Sequence, residues 1–161
     1  MVKIREILET DWQEIFQIQK ESYHSIEPES VEVLKSKWEM SPETCFVLVE
    51  ENKILAYLLS HPWFEDDAPD LYTKLEFCPN TNGIFIHDLA VLPISQGKGL
   101  GRIALKYLFQ YAKAINVYFI SLVSIQGSGQ FWEKFNFEPK YIAKPLDSYG
   151  QESIYRKLII N

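Results

Sequence analysis

His87 stands directly before Asp88 inside an apolar run. Three glycines follow at alternate positions, Gly97, Gly99 and Gly101, with Lys98 and Arg102 among them. An imidazole titrates near pH 6.5, so His87 is a group that can take up or release a proton under working conditions. Asp88 is a second such group, acting directly or through a water. Simple strand alternation puts it on the face opposite His87. The glycines suit a different task. Before a helix they let the chain turn and let an anion approach the backbone. The first amides of a helix have no internal partner, and the macrodipole is positive at that end.

These groups need a strand, a turn and a helix in that order. Ile84 to Leu92 reads as a strongly apolar strand. After the glycines, Leu100, Ile103, Ala104, Tyr107, Leu108, Tyr111, Ala112 and Ile115 recur at helical spacing as one continuous stripe, with Arg102, Lys106, Gln110 and Lys113 on the other side. Val117 to Ile125 reads as a strand covered on both faces. Gly129 to Phe135 is a short helix, and Phe137–Ala143 and Ser153–Ile160 are strands. Upstream, Val2–Leu8 is a first strand. Thr10 with Gln13 forms a capping box ahead of a helix carrying Trp12, Ile15, Phe16 and Tyr23. Pro28 and Pro42 bracket a second helix. Cys45–Val49 and Ile54–Leu59 form a hairpin. Residues 61–83 are an irregular connection with the acids Glu65, Asp66, Asp67 and Asp70 beside Trp63, Phe64 and Tyr72. Such long connections are usually functional or disordered. His24 and His61 read as solvated surface.

The chain of 161 residues, 47% hydrophobic and 24% charged, suits one globular domain spanning 1–161. The N-terminus has no apolar stretch before a cleavage site, and no run is long enough to span a bilayer, so cytoplasmic residence is expected. Cys45 and Cys78 form no metal or redox motif, and no metal is expected. A net charge of −6 argues against a nucleic-acid partner. Its distribution says more. The 44 residues from Leu89 to Trp132 contain no acid, where an even spread would place about six, and the glycine hinge lies among them. Either this is the buried middle of the fold or it faces an anion.

Three glycine-loop chemistries compete. A P-loop needs G-x-x-x-x-G-K-S/T, which is absent. A dinucleotide fingerprint needs G-x-G-x-x-G with an acid about 20 residues on. Here the spacing is G-x-G-x-G, and no acid follows before Glu133. The third pattern, Gln96-x-x-Gly99-x-Gly101 after an apolar strand and Pro93, resembles the pyrophosphate loop Q/R-x-x-G-x-G/A of the GNAT superfamily of N-acetyltransferases. His87-Asp88-Leu89-Ala90-Val91 resembles that family's fourth strand. Gln130 to Phe137 resembles its aromatic F-Y/W-E-K-x-G-F segment, with Asn136 in place of the usual glycine. The order of elements matches over about residues 84–142.

The resemblance implies an α/β fold: a twisted mixed sheet of six or seven strands, about four helices on both faces, and two central strands splayed at one end. It implies acetyl-CoA as cofactor. The pantetheine arm pairs with the backbone of Leu89, Ala90 and Val91, and the pyrophosphate lies on the amides of Gln96, Gly97, Lys98, Gly99, Leu100, Gly101 and Arg102. Trp132 and Ser128 lie near the arm. The implied reaction is direct transfer of acetyl to a primary amine, and the alternative is a silent acyl-CoA-binding module. His87 occupies the place of a catalytic histidine of the arylalkylamine-type enzymes, the nearest in motif. Their second histidine is replaced by Phe85 and their acid tyrosine by Trp132. Asp88 is the fallback base, and Tyr141, Tyr149 and Tyr155 are candidate acids. Acids beside aromatics in the 61–83 connection suit a cationic amine; a peptide N-terminus or a lysine fits equally. The chain is expected as a monomer or homodimer, with no membrane partner.

Overall fold

The computed structural model describes residues 1–160. Seven strands form one sheet: β1 (Lys3–Glu6), β2 (Phe46–Glu50), β3 (Lys53–Pro62), β4 (Gly83–Val91), β5 (Phe119–Ser124), β6 (Glu138–Pro139) and β7 (Ile154–Ile159). Their spatial order is β1-β2-β3-β4-β5-β7-β6. Four α-helices accompany them: α1 (Trp12–Ser22), α2 (Val31–Met40), α3 (Leu100–Ala114) and α4 (Gly129–Glu133). The β4–β5 pair is parallel, joined through α3, and the other neighbours are antiparallel. This is the mixed fold expected from the sequence.

The helices divide between the two faces. The apolar stripe of α3 (Leu100, Ala104, Leu105, Leu108, Ala112) packs on Ile84, Ile86, Ile120 and Leu122. Ile15 and Ile18 of α1 and Leu34 of α2 pack with Val47, Tyr57, Leu59 and Ala90 on the other side. A third cluster gathers Trp63, Leu71, Leu75 and Tyr149 around Phe85, under the irregular segment 63–82. No described helix is long and apolar enough to cross a membrane.

The strands that position the site part company. β4 and β5 pair only from Gly83–Ile86 to Phe119–Leu122. Beyond that point β4 runs on to Val91 with its β5-side edge unpaired.

Several local expectations are corrected. The chain enters α1 through a 3-10 turn, so the helix begins at Trp12 and the Thr10–Gln13 box is not used. Asp11 takes over the role: its carboxylate accepts the Leu8 amide at 2.7 Å and pairs with Arg5. The strand expected over 137–143 pairs only at Glu138–Pro139, on the sheet edge, and Tyr141 is 91% exposed. His61 is fully buried, because β3 runs on past Leu59 and lays it opposite Phe85. Burial pushes its imidazole down to about 3, although the Pro62 carbonyl, which Nδ1 donates to at 2.9 Å, acts the other way. Asn136 has φ +68°. It holds the left-handed turn that glycine holds in the family motif, and asparagine tolerates that region better than most residues.

Candidate active site

The site is built on an irregularity in β4. Asp88 lies opposite Leu59 and Ile86 lies opposite Ser60, which leaves His87 as an extra residue, a β-bulge. The facing of the strand changes there. Ile84 and Ile86 belong to the α3-side core, and so do Leu89 and Val91 beyond the bulge, whereas Ala90 packs on the α1–α2 side. The expectation that His87 and Asp88 point to opposite faces is therefore corrected. Both reach residues of the α1–α2 layer.

His87 Nε2 lies 2.6 Å from Glu29 Oε1, and the two side chains are 1% and 4% exposed. The other carboxylate oxygen accepts the Tyr72 amide at 2.9 Å. Gln19 brackets the Glu29 main chain, donating to its carbonyl and accepting from its amide. Burial alone would raise the Glu29 carboxyl. The charge and hydrogen bond of His87, the Tyr72 amide and Lys37 outweigh it and hold the group at about 2. A carboxylate against Nε2 keeps the ring proton there. Nδ1 is left buried with no partner, on a residue that lines the cavity described below. Glu29 is 58 residues from His87 in the chain, and no local signal marks it.

Asp88 is engaged twice. Tyr23 donates to Oδ1 at 2.5 Å and Tyr57 donates to Oδ2. Burial pushes its carboxyl up to about 6, against the pull of His87 and the two hydroxyls; Glu29 adds to the rise. Folding therefore favours the acid form. That contribution to stability is complete below the ordinary carboxyl value of about 4, falls as pH rises toward 6 and is flat above. The Asp88→Asn variant lacks this decline. Its melting temperature relative to the parent should climb between about pH 4 and 6 and then level off; a pH-independent difference would contradict the assignment.

The open edge of β4 carries a regular pattern. The carbonyl of Leu89 lies 2.8 Å from the Tyr23 hydroxyl, whose one proton it shares with Asp88, and that of Val91 accepts from Ser22 Oγ and Gln96 Nε2 at 3.1 and 3.2 Å. These two residues turn their main chain away from β3, and Ala90, in register with Tyr57, turns toward it. An extended group laid along this edge meets the amides of Leu89 and Val91.

The hinge follows. Gly97 and Gly99 have φ +82° and +79°, and a side chain at either would point into open space. Their requirement is backbone conformation. Gly101 is different: a Cβ there would come within 2.9 Å of the Phe131 ring, so this glycine lets α4 approach α3. The first α-helical bond runs from the Ile103 amide to Gly99. The amides of Leu100, Gly101 and Arg102 thus have no main-chain acceptor. The Gln96 amide is spent on the Pro93 carbonyl at 3.2 Å, and only its side chain serves the edge.

All the cofactor residues expected from the sequence except Lys98 line one cavity of about 600 Å³, together with His87, Asp88 and Glu29. Lys98 is exposed outside its lining. The Arg102 guanidinium lies over the Phe135 ring at 5.5 Å. Trp132 packs against Phe131 and Phe137 and is at once core and cavity wall. Ser128 Oγ donates to the Ile125 carbonyl at 2.8 Å. Of the candidate acids, Tyr149 alone lines the cavity, and its hydroxyl donates to the Pro69 carbonyl. The Tyr155 hydroxyl accepts the Asp66 amide.

The acidic cluster lies elsewhere. Glu65 and Asp66 pair with Lys157, Asp66 also with Lys140, and Asp70 with Lys144. Asp67 accepts from Trp63 Nε1. None of the four lines the cavity. They pin the irregular segment to the C-terminal part of the chain.

The family model of the acetyltransferase (GNAT) family matches residues 10–137. The chain belongs to that family. Among curated proteins nothing matches. Solved structures resemble this GNAT chain throughout its length. The loading GNATL domain of CurA from Lyngbya majuscula superposes with a TM-score of 0.85 at 13% identity, covering 99% of this chain and 98% of that one. The ribosomal-protein-S18-alanine N-acetyltransferase from Escherichia coli gives 0.74 at 19%, covering 100% and 95%. A GNAT family acetyltransferase from Brucella melitensis, solved in complex with acetyl-CoA, gives 0.64 at 14%, covering 100% and 89%. These likenesses are of fold. The cofactor of this GNAT chain is acetyl-CoA; the splayed edge of β4 and the amides at 100–102 carry free main-chain donors.

Proposed function

We propose that this chain transfers acetyl from acetyl-CoA to a primary amine, with His87 as the base. The observation that carries the reading is the buried, unpartnered Nδ1 of His87, on a residue that lines the cavity and whose ring is fixed by Glu29. Acetyl-CoA, when bound, supplies the thioester carbonyl. The Leu89 amide on the open edge holds its arm, and the Val91 amide faces oxygen charge as it develops. The amides of Leu100, Gly101 and Arg102 take the diphosphate, with Gly97 and Gly99 shaping the turn. Nδ1 accepts a proton from the attacking amine, and Glu29 steadies the imidazolium that results. Asp88, with both oxygens taken, holds Tyr23 and Tyr57 in place. The chain needs no covalent intermediate. Incubation with acetyl-CoA and a panel of amines should release CoA with at least one of them; tight cofactor binding with no release from any would leave a silent acyl-CoA-binding module instead.

A further inference from the structure

The cavity continues beyond His87, and its walls there are apolar. Ile26, Leu71, Val123, Ile125 and Tyr149 line it and pack together in the cluster around Phe85. The acids lining the cavity are Glu29 and Asp88, and the oxygens of both are engaged. Its cations, Arg102 and Lys134, come from the hinge helix and the end of α4. The buried Lys37 nearby donates to the Thr73 carbonyl and does not line the cavity. No carboxylate is free there for a second ammonium, and no cation for a carboxylate. A second charge would be buried unpaired, at a cost of several kcal/mol.

Three connections that are far apart in sequence are tied together around this end. Tyr149 donates to the Pro69 carbonyl at 2.5 Å, and the Leu71 amide donates to Ser148 Oγ at 3.0 Å. The Tyr72 amide donates to Glu29 and its hydroxyl to the Glu27 carbonyl, both at 2.9 Å. Gly150 lies against Ile26. A polypeptide acceptor needs an open groove and main-chain partners for the residues behind its amine, and stitched loops with aliphatic linings offer neither.

We propose that the acceptor is a small primary amine whose remaining surface is apolar and uncharged, seated between Ile26, Leu71 and Tyr149, and not a polypeptide. The proposal rests on acetyl transfer at His87 as read above. The amine enters as the free base with an N–H toward the Nδ1 lone pair, and its substituent displaces water from the aliphatic wall.

Calorimetry on the full chain saturated with CoA, at pH 9, compares three probes: 3-methylbutylamine, 1,4-diaminobutane and the tetrapeptide Ala-Gly-Ala-Gly. The monoamine should bind at least tenfold more tightly than either of the others. The Ile26→Asp variant, altered at a half-buried wall position, should shift the monoamine-to-diamine affinity ratio at least tenfold toward the diamine while CoA still binds. Comparable or tighter binding of the diamine or the peptide overturns the proposal, and so does failure of all three to bind. Turnover of the same probes with acetyl-CoA tests the transfer reaction separately. A monoamine that binds and is never acetylated keeps the apolar, uncharged amine subsite but removes the transferase reading and with it the role of acceptor; preferential acetylation of the peptide keeps the transferase reading and overturns the monoamine assignment.

Discussion

Replacing His87 lowers kcat by about 10²–10⁴-fold, the usual contribution of a positioned base, while acetyl-CoA affinity is retained. The single change is a poor test by itself. His87→Gln leaves the Glu29 carboxylate buried without its partner, and breaking a buried pair costs about 3–5 kcal/mol. Loss of fold could then pass for loss of catalysis. The double variant Glu29→Gln/His87→Gln removes both members of the pair at once and should restore the melting temperature without restoring turnover. The pH profile gives the second readout. Glu29, held at about 2, is ionised throughout the working range and contributes no limb. Asp88, pushed up to about 6, titrates inside that range, so a limb in the parent profile could belong to it. A limb that persists in Asp88→Asn does not belong to Asp88, and its loss in the His87 variants would mark the base. Double-variant turnover within threefold of the parent, with an unchanged profile, would end the role of His87 as base.

What could be read from the sequence follows the range of the physics behind it. The α3 stripe and the positive-φ glycines express local rules, periodicity and backbone sterics, and a single sequence displays them directly. The acid-free stretch from Leu89 to Trp132 was ambiguous between core and anion site. Leu100, Ala104 and Leu108 of that stretch are buried, and the amides at 100–102 are free. The bulge at His87 is a fact of register between β3 and β4, and composition carries no trace of it. Glu29 meets His87 only because the α1–α2 connection carries it there, 58 residues away along the chain. The acidic cluster misled for a related reason: a run of carboxylates shows charge and not what faces it. Its partners Lys140, Lys144 and Lys157 arrive from the C-terminal part of the chain. The polar type of His61 points to the surface, and only the continuation of β3 past Leu59 buries it.

The second large effect concerns the hinge, and Gly99→Glu isolates it. The residue sits at φ +79° with open space where its Cβ would go. The substitution therefore brings no clash, only the cost of a left-handed conformation, about 1–2 kcal/mol. Part of that is recovered in the free protein, because a carboxylate at a helix N-terminus gains about 0.3–1 kcal/mol. The fold should survive. The same carboxylate competes for the Leu100, Gly101 and Arg102 amides and repels a diphosphate. Each charge-assisted hydrogen bond contributes about 1.5–3 kcal/mol. Losing two of them weakens acetyl-CoA binding by at least about a hundredfold. Gly99→Ala carries the backbone strain without the charge, and its Kd should move by less than about tenfold. Calorimetric titration of both variants separates the two causes. If Gly99→Glu binds acetyl-CoA as the parent does, the diphosphate does not sit at the start of α3, and the arm laid along Leu89 and Val91 loses its anchor.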